Sequence, residues 1–239
     1  MASKILRLVL LLAPAAITTA YGDSSPGPTY SNPNFLPTGD SSKMRDTANF
    51  RRNLTAHAIL AALAFVILFP TGGIIVRLVP FRLVWFVHGV LQLFAILVFV
   101  AAFGLGIYLA TSRSITPDGL MNKAHVIIGI VLFGLLFLQL FLGVLHHLGF
   151  KKTGTRGAWS YAHVWLGRAL ITLGIVNGAL GLKLARDTGT GGSNMAIIAY
   201  SVFAGPMWLA YMTVAVFGEV TMMMGSNENV GKENASLEG

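Results

Sequence analysis

Residues 124–148 read AHVIIGIVLFGLLFLQLFLGVLHHL, and this run indicates the fold class of the chain. It contains no Asp, Glu, Lys or Arg. A helix of this length, rising about 1.5 Å per residue, crosses the roughly 30 Å of hydrocarbon in a bilayer. The run also carries a histidine near its start and glycines at intervals, features that return in the neighbouring apolar runs. We therefore predict a transmembrane helix with a few polar residues at defined heights.

The composition of the whole chain supports a membrane protein. Of 239 residues, 54% are hydrophobic and 11% are charged, whereas a soluble domain has about a quarter charged residues. A soluble globule of this size cannot bury so many apolar side chains. The net charge of +8 comes from Lys and Arg scattered between apolar blocks. These numbers exclude soluble enzymes, disordered proteins and a nucleic-acid partner, and they name the lipid bilayer as a partner.

Five apolar runs are long enough to span a bilayer. Short connections make consecutive runs antiparallel neighbours, so the first four form an up-down bundle. The predicted fold class is an all-α membrane protein with an up-down four-helix haem-binding bundle plus a fifth transmembrane helix. The haem is inferred from the histidines of the first four spans. The five spans are predicted near residues 54–79, 83–110, 121–148, 159–185 and 195–224.

The segments outside the spans give the predicted domain organisation and topology. We predict a signal peptide or short anchor helix at 1–22, a disordered extracytoplasmic tail at 23–50, the transmembrane domain at 51–225 and a cytosolic tail at 226–239. The expected location is a plasma or secretory-pathway membrane, with an extracytoplasmic N-terminus and a cytosolic C-terminus. We call the face where the first span begins the outer face and the opposite one the inner face.

Histidine is the main candidate for chemistry, because the chain has no cysteine. That absence excludes disulfides, thiolate metal sites and iron–sulfur clusters. His57, His88, His125 and His163 lie one per helix, each near the start of its span. Since the helices alternate in direction, the first and third lie near the outer face and the other two near the inner face. Each pair is diagonal in the bundle, which is the arrangement of bis-histidine haem ligation. The alternative is that these are structural or interfacial histidines.

Glycines follow the histidines at a fixed interval. Eighteen residues make five helical turns, and at that distance stand Gly106 after His88, Gly143 after His125 and Gly181 after His163. A glycine there leaves room for a flat macrocycle, and we predict two haems stacked along the membrane normal. Alternatively, glycines merely let membrane helices approach closely. Three more residues complete the expected cofactor surroundings: Gly129, Gly167 and Asn177, the last of which, like Gln139, lies fourteen residues after a histidine.

These residues resemble the cytochrome b561 family of transmembrane di-haem electron carriers over residues 50–224. The resemblance lies in the four histidines, His88-Gly89, the His-x-x-x-Gly steps at 125–129 and 163–167, and residues 179–183 (ALGLK). Residues 160–168 (SYAHVWLGR) are similar to the fungal branch, in which this module often follows an extracellular DOMON-type domain. No such domain fits within 23–49, so we expect a stand-alone module.

The resemblance implies two haem b groups, an outer one on His57 and His125 and an inner one on His88 and His163. It also implies electron transfer from a cytosolic, ascorbate-like reductant to an extracytoplasmic ferric chelate, monodehydroascorbate or extracellular redox protein. The chain would then be a transmembrane oxidoreductase of the ascorbate-dependent, ferric-reductase-like kind. Ascorbate-using relatives carry a lysine three residues before the second-helix histidine, and this chain departs from them with Trp85.

Cations near the inner face are candidates for binding the donor, or else they are ordinary helix-end anchors. His147 is assigned to the inner haem rim, whereas His146 is expected to point elsewhere. The candidate substrate-binding residues are Arg77, Arg82, His147, Lys151, Lys152 and Arg156.

Two intramembrane charges predict how the fifth helix is attached. Arg168 and Glu219 lie at similar depth, so we predict an ion pair between them that fixes the fifth helix, a brace without ligands, to the bundle. The alternative function for the whole chain is a haem-free transporter or scaffold, with histidines as structural groups or proton relays.

Overall fold

The computed structural model describes residues 40–80, 82–112 and 119–237. Within these ranges the secondary structure is helical and no strand occurs, as expected for an all-α membrane protein. The helices are α1 (Asp40–Ala62), a π-helical segment (Leu63–Leu68), α2 (Phe69–Leu78), α3 (Val84–Thr111), α4 (Ala124–Thr153), α5 (Ala158–Asp187) and α6 (Asn194–Leu237).

Five helical stretches are long and apolar enough to cross a membrane, which confirms the predicted number. The first combines α1, the π-helical segment and α2, and each of the others corresponds to one helix. The candidate spans are Arg45–Leu78, Val84–Thr111, Ala124–Thr153, Ala158–Asp187 and Asn194–Thr221.

The ends of the first and last helices differ from the sequence-based boundaries. Helix α1 begins at Asp40, so residues 40–50 are helical rather than an unpacked tail. Helix α6 continues to Leu237, through most of the predicted cytosolic tail. Neither stretch contains proline, so each can continue the helix of the adjoining span into the polar region. The predicted signal peptide and residues 23–39 lie outside the described residues.

The first four spans pack as the predicted bundle around a core at mid-height. Helix α4 packs most extensively on α5, and α1 with α2 packs on α3. Phe65 is buried at the centre, with its ring centre 5.0 Å from that of Phe99 and 5.1 Å from that of Phe69. Leu132 and Leu170 complete this apolar layer from α4 and α5. The core thus separates the outer histidines from the inner ones.

The π-helical segment Leu63–Leu68 interrupts the first span beside this core. A π turn inserts an extra residue relative to an α turn and changes the register of everything after it. Phe65, inside the segment, lies against Gly174 of α5, where an added Cβ would collide with the phenyl ring. No feature of the residues LAFVIL predicts this break.

Helix α6 lies outside the bundle, against α2 and α5. The Tyr200 hydroxyl donates to the carbonyl of Ile175 at 2.6 Å, and Trp208 Nε1 donates to Thr172 Oγ1 at 3.1 Å. Polar bonds of this kind are effective in lipid because water does not compete for their donors. The structure therefore agrees with a bracing role for the fifth span.

Candidate functional site

The four histidines form two diagonal pairs, as their heights predicted. The ring centres of His57 and His125 lie 5.9 Å apart with an angle of 86° between the planes. Those of His88 and His163 lie 6.4 Å apart at 84°. An imidazole nitrogen bonds a transition metal at about 2.0 Å and lies about 1.1 Å from its ring centre, so two axial imidazoles have centres about 6 Å apart. Both pairs therefore have the spacing of two ligands on one metal.

Three of the four rings are held by main-chain carbonyls of a neighbouring helix. Nδ1 of His57 lies 2.8 Å from the oxygen of Ala102. Nδ1 of His125 lies 2.9 Å from the oxygen of Asn177. Nδ1 of His88 makes the same contact, also at 2.9 Å, with the first span. A carbonyl only accepts, so Nδ1 must donate, and Nε2 is the nitrogen left with a lone pair. This is the outer-sphere contact that orients metal-binding histidines.

The register of these contacts repeats along the chain. Ala102 lies fourteen residues after His88, and Asn177 lies fourteen residues after His163. The partner of His88 is Gly72, fifteen residues after His57. The extra residue on the first span is the one that the π-helical segment inserts. The segment thus places the carbonyl of Gly72 opposite His88, whereas an uninterrupted α-helix would place the carbonyl of an adjacent residue there.

The glycines eighteen residues after a histidine lie against the imidazoles of neighbouring helices. A Cβ added at Gly106 would lie 2.8 Å from Cε1 of His57, and one at Gly181 would lie 2.8 Å from Cε1 of His125. At Gly143 the corresponding distance to Cε1 of His163 is 3.1 Å. Each glycine therefore lets an imidazole approach the adjacent helix. Clearance for a macrocycle, the role first assigned to them, stays a prediction.

Two further glycines lie beside buried amides. A Cβ at Gly167 would lie 2.8 Å from Nε2 of Gln139, and one at Gly129 would lie 3.7 Å from Nδ2 of Asn177. The Gln139 amide donates to the carbonyl of His163 at 2.7 Å. Asn177 is 6% exposed, and its Oδ1 has no hydrogen-bond partner among the described residues. Both amides thus lie beside glycines of the histidine helices, and their contact with a cofactor stays a prediction.

His146 lies against the inner pair, which differs from the prediction that it points elsewhere. It does not point elsewhere, because its ring lies nearly parallel to that of His163, at 11° and 5.8 Å between centres. Its Nδ1 lies 2.6 Å from Oγ of Ser160, which is 3% exposed. His147, on the same turn, stacks on Trp85 with 4.3 Å between ring centres. Consecutive residues point about 100° apart on a helix, so the two histidines face different neighbours.

The inner-face cations divide into two groups. The guanidinium groups of Arg77, Arg156 and Arg168 surround the carboxylate of Glu219, at 3.8, 3.3 and 2.7 Å. The predicted Arg168–Glu219 ion pair is confirmed, and two of the candidate donor-binding residues belong to this cluster. The rest of the set behaves differently: Arg82, Lys151 and Lys152 are exposed.

A cavity of about 530 Å³ opens at this face. Its walls contain rings from α3 and α4 and cations from the end of α4 and the loop that follows. The lining residues are Trp85, His146, His147, Phe150, Lys151 and Arg156. His146 connects this cavity to the inner histidine pair, because the same ring contacts His163.

Groups of three or more His, Cys, Asp or Glu side chains that could hold a metal ion do not occur in the described ranges. The histidine pairs offer two ligands each, and a six-coordinate iron with two axial imidazoles takes its other four donors from a porphyrin. Each pair fits an iron porphyrin in three respects. It offers two imidazole donors, its rings have the required spacing, and the Nδ1 contacts leave Nε2 for the metal.

Comparison with known proteins supports a family relationship. Two cytochrome b561 and DOMON domain-containing proteins of Arabidopsis thaliana are 31% and 32% identical to this chain, over 170 and 151 residues. The chain is related to the cytochrome b561 family. These alignments cover 68% and 61% of this chain but 39% and 34% of the relatives. The chain thus matches less than half of either relative.

Two further comparisons bear on the cytochrome b561 relationship. Residues 38–149 match a family described as a domain of unknown function (DUF2427). That range includes His57, His88 and His125, three of the four paired histidines. No solved structure matches the chain. The histidine geometry above therefore stands on this structure alone.

Proposed function

We propose that this integral membrane protein carries electrons across its membrane through two haem b groups, an outer one on His57 and His125 and an inner one on His88 and His163. The observation that carries the proposal is the pairing of four imidazoles at two heights, with Nδ1 of three of them bonded to carbonyls. The relationship to cytochrome b561 proteins supports haem b as the cofactor.

The residues act by holding and enclosing the cofactor. The Nδ1–carbonyl bonds orient the rings and increase the basicity of Nε2 as an iron ligand. With both axial positions taken by imidazole, a bound haem supplies a one-electron ferric–ferrous couple without an open site for oxygen. The apolar layer around Phe65 and Leu132 keeps water from the space between the two pairs.

The donor side is proposed at the inner-face cavity, for a small anionic reductant of the ascorbate type. The charged residues that line the cavity are cationic, Lys151 and Arg156. Arg156 also forms an ion pair with Glu219. The cluster around Glu219 contains three arginines and one carboxylate, so its net charge is positive. Cationic surroundings favour an anionic donor. An extracytoplasmic ferric chelate or monodehydroascorbate is proposed as the acceptor.

Absorption spectroscopy tests the cofactor. Protein purified in lipid nanodiscs should bind two haems per chain and gain a sharp low-spin α-band on reduction with dithionite. His57→Ala and His88→Ala should each remove one haem, and not the same one. His147→Phe is the matched control, because it replaces a histidine of the inner face that lies outside the pairs. A folded, colourless wild type would refute the proposal and favour a haem-free transporter or scaffold.

Liposomes test the electron transfer. Vesicles that carry the wild-type protein in their membrane enclose a ferric chelate. The chelate should be reduced when ascorbate is added outside the vesicles. Vesicles with His88→Ala should show no more reduction than vesicles without protein. Equal rates for wild type and His88→Ala would refute transfer through the inner pair.

A further inference from the structure

The four histidines are not held in the same way. Nδ1 of three of them lies within 2.9 Å of a main-chain carbonyl, whereas Nδ1 of His163 is buried and, among the described residues, has only the backbone of Gln139 as a weak partner. By the register of the others, its partner would be the carbonyl of Gln139, fourteen residues after His125. At that position the contact with α5 is made instead by the Gln139 side chain, which donates to the carbonyl of His163. The orientation of the His163 ring therefore depends less on a carbonyl than that of the other three rings.

Two residues of α4, three positions apart and on one helix face, enclose the His163 ring. Gly143 lies against Cε1, where an added Cβ would come within 3.1 Å. His146 lies parallel to the ring, with 11° between the planes. Residues spaced by three are neighbours on a helix surface, so the two together form a slot for one imidazole. The planes of His88 and His163 stand at 84°, and the slot contacts the second of these two rings.

His146 is itself fixed by a buried hydrogen bond. Its Nδ1 lies 2.6 Å from Oγ of Ser160, and Ser160 is almost fully buried on α5, three residues before His163. Ser160 therefore links the ring of His146 to the same helix that carries His163. Loss of this hydrogen bond is costly on the Ser160 side, because the buried hydroxyl does not find water instead.

We propose that His146, held by Ser160, is a positioning residue that sets the imidazole plane of His163. This inference rests on the proposed role of His163 as an iron ligand. The outer pair has no such device, since both of its rings are oriented by carbonyls. Because the orientation and outer-sphere contacts of a ligating imidazole tune the metal that it binds, an iron held by the inner pair would differ electronically from one held by the outer pair, and the difference would depend on His146.

Electron paramagnetic resonance of the oxidised protein tests the proposal. Near-perpendicular imidazole planes give a low-spin signal at very low field, and rotation of one plane moves or broadens that signal. We expect His146→Leu and Ser160→Ala to shift or broaden the inner-haem signal, with the outer signal unchanged and two haems retained. Ser160→Thr, which keeps the hydroxyl, should restore the wild-type signal. Leu148→Phe, at an exposed position of α4 two residues after His146, should leave both signals unchanged. The two signals are assigned by their loss in His57→Ala and His88→Ala.

Unchanged inner signals in both His146→Leu and Ser160→Ala would overturn the proposal, as would equal shifts of both haems. If His146→Leu loses the inner haem, Ser160→Ala and Ser160→Thr decide, because they leave the imidazole in place. A wild type without haem would refute the proposed function itself, and the spectrum of the unmodified protein shows this before any variant is made.

Discussion

Replacement of Gly106 by alanine should remove the outer haem and leave the inner one. The new Cβ would lie 2.8 Å from Cε1 and 3.1 Å from Nδ1 of His57. Ordinary carbon contacts are about 3.5 Å or longer, so about 0.7 Å of overlap must be relieved. The ring cannot easily retreat, because Nδ1 is bonded to Ala102 one turn earlier on the same helix.

The expected size of the effect follows from the cost of overpacking. Forcing an extra methyl group into a packed site costs about 1–3 kcal/mol, and each 1.4 kcal/mol is tenfold in affinity. Haem should therefore bind the outer site about five-fold to 150-fold more weakly. Alanine also favours the helix over glycine by about 1 kcal/mol, which offsets part of this cost in the protein itself, so the variant should still fold. The loss should therefore be local to the outer site.

Gly104→Ala is the matched control, because it makes the same change on the same helix where no atom lies within 4 Å of the new Cβ. Haem per chain is measured as the pyridine haemochrome after washing at low haem. We expect close to one haem in Gly106→Ala and two in Gly104→Ala. Two tightly bound haems in both variants would show that the close approach of Gly106 to His57 is not needed for binding.

Two further predictions concern stability, measured as the midpoint of thermal unfolding in nanodiscs. Glu219→Gln leaves three arginines without their carboxylate and should lower the free energy of unfolding by about 3 kcal/mol. Haem content should stay at two per chain. An unchanged midpoint would contradict a stabilising role for the cluster. Gly174→Ala would place a methyl group on the Phe65 ring, whereas Gly134→Ala meets no atom within 4 Å. The first should lower the midpoint and the second should not, and equal midpoints would refute tight packing at this contact.

The sequence predicted the elements of this molecule that depend on helical period and length. Apolar runs fixed the number of spans, because the bilayer sets the length of a helix that crosses it. Alternating helix direction fixed the heights of the histidines. The ion pair between Arg168 and Glu219 followed from their depth alone.

Other features had no signal in the sequence. The π-helical segment Leu63–Leu68 is an ordinary apolar run whose register is decided by packing against other helices. The partners of Nδ1 are main-chain carbonyls, which every residue offers, so residue type cannot indicate them. His146 and His147 lie about 60° and 40° from the direction of His125, on opposite sides of it. Which side faces α5 depends on how the bundle closes, so the period alone could not assign His146.

The repeated spacing has a physical reason that joins the glycines to the carbonyls. In an α-helix the side chain of one residue covers the backbone of the preceding turn, because the Cα–Cβ bond tilts toward the N-terminus. Gly106 comes four residues after Ala102, so the carbonyl that His57 reaches is left uncovered. Gly181 leaves the carbonyl of Asn177 open to a second hydrogen bond in the same way.

That carbonyl also accepts the usual helical bond, and its second lone pair is free for the imidazole. A carbonyl at fourteen and a glycine at eighteen residues after one histidine therefore form a receptor for the histidine of the neighbouring helix. The glycines first read as space for a macrocycle thus have a prior role in docking imidazoles onto helices. Helices α3 and α5 each carry one histidine of the inner pair and, about four to five turns later, the receptor that orients a histidine of the outer pair, so the outer rings depend on the helices that carry the inner ones.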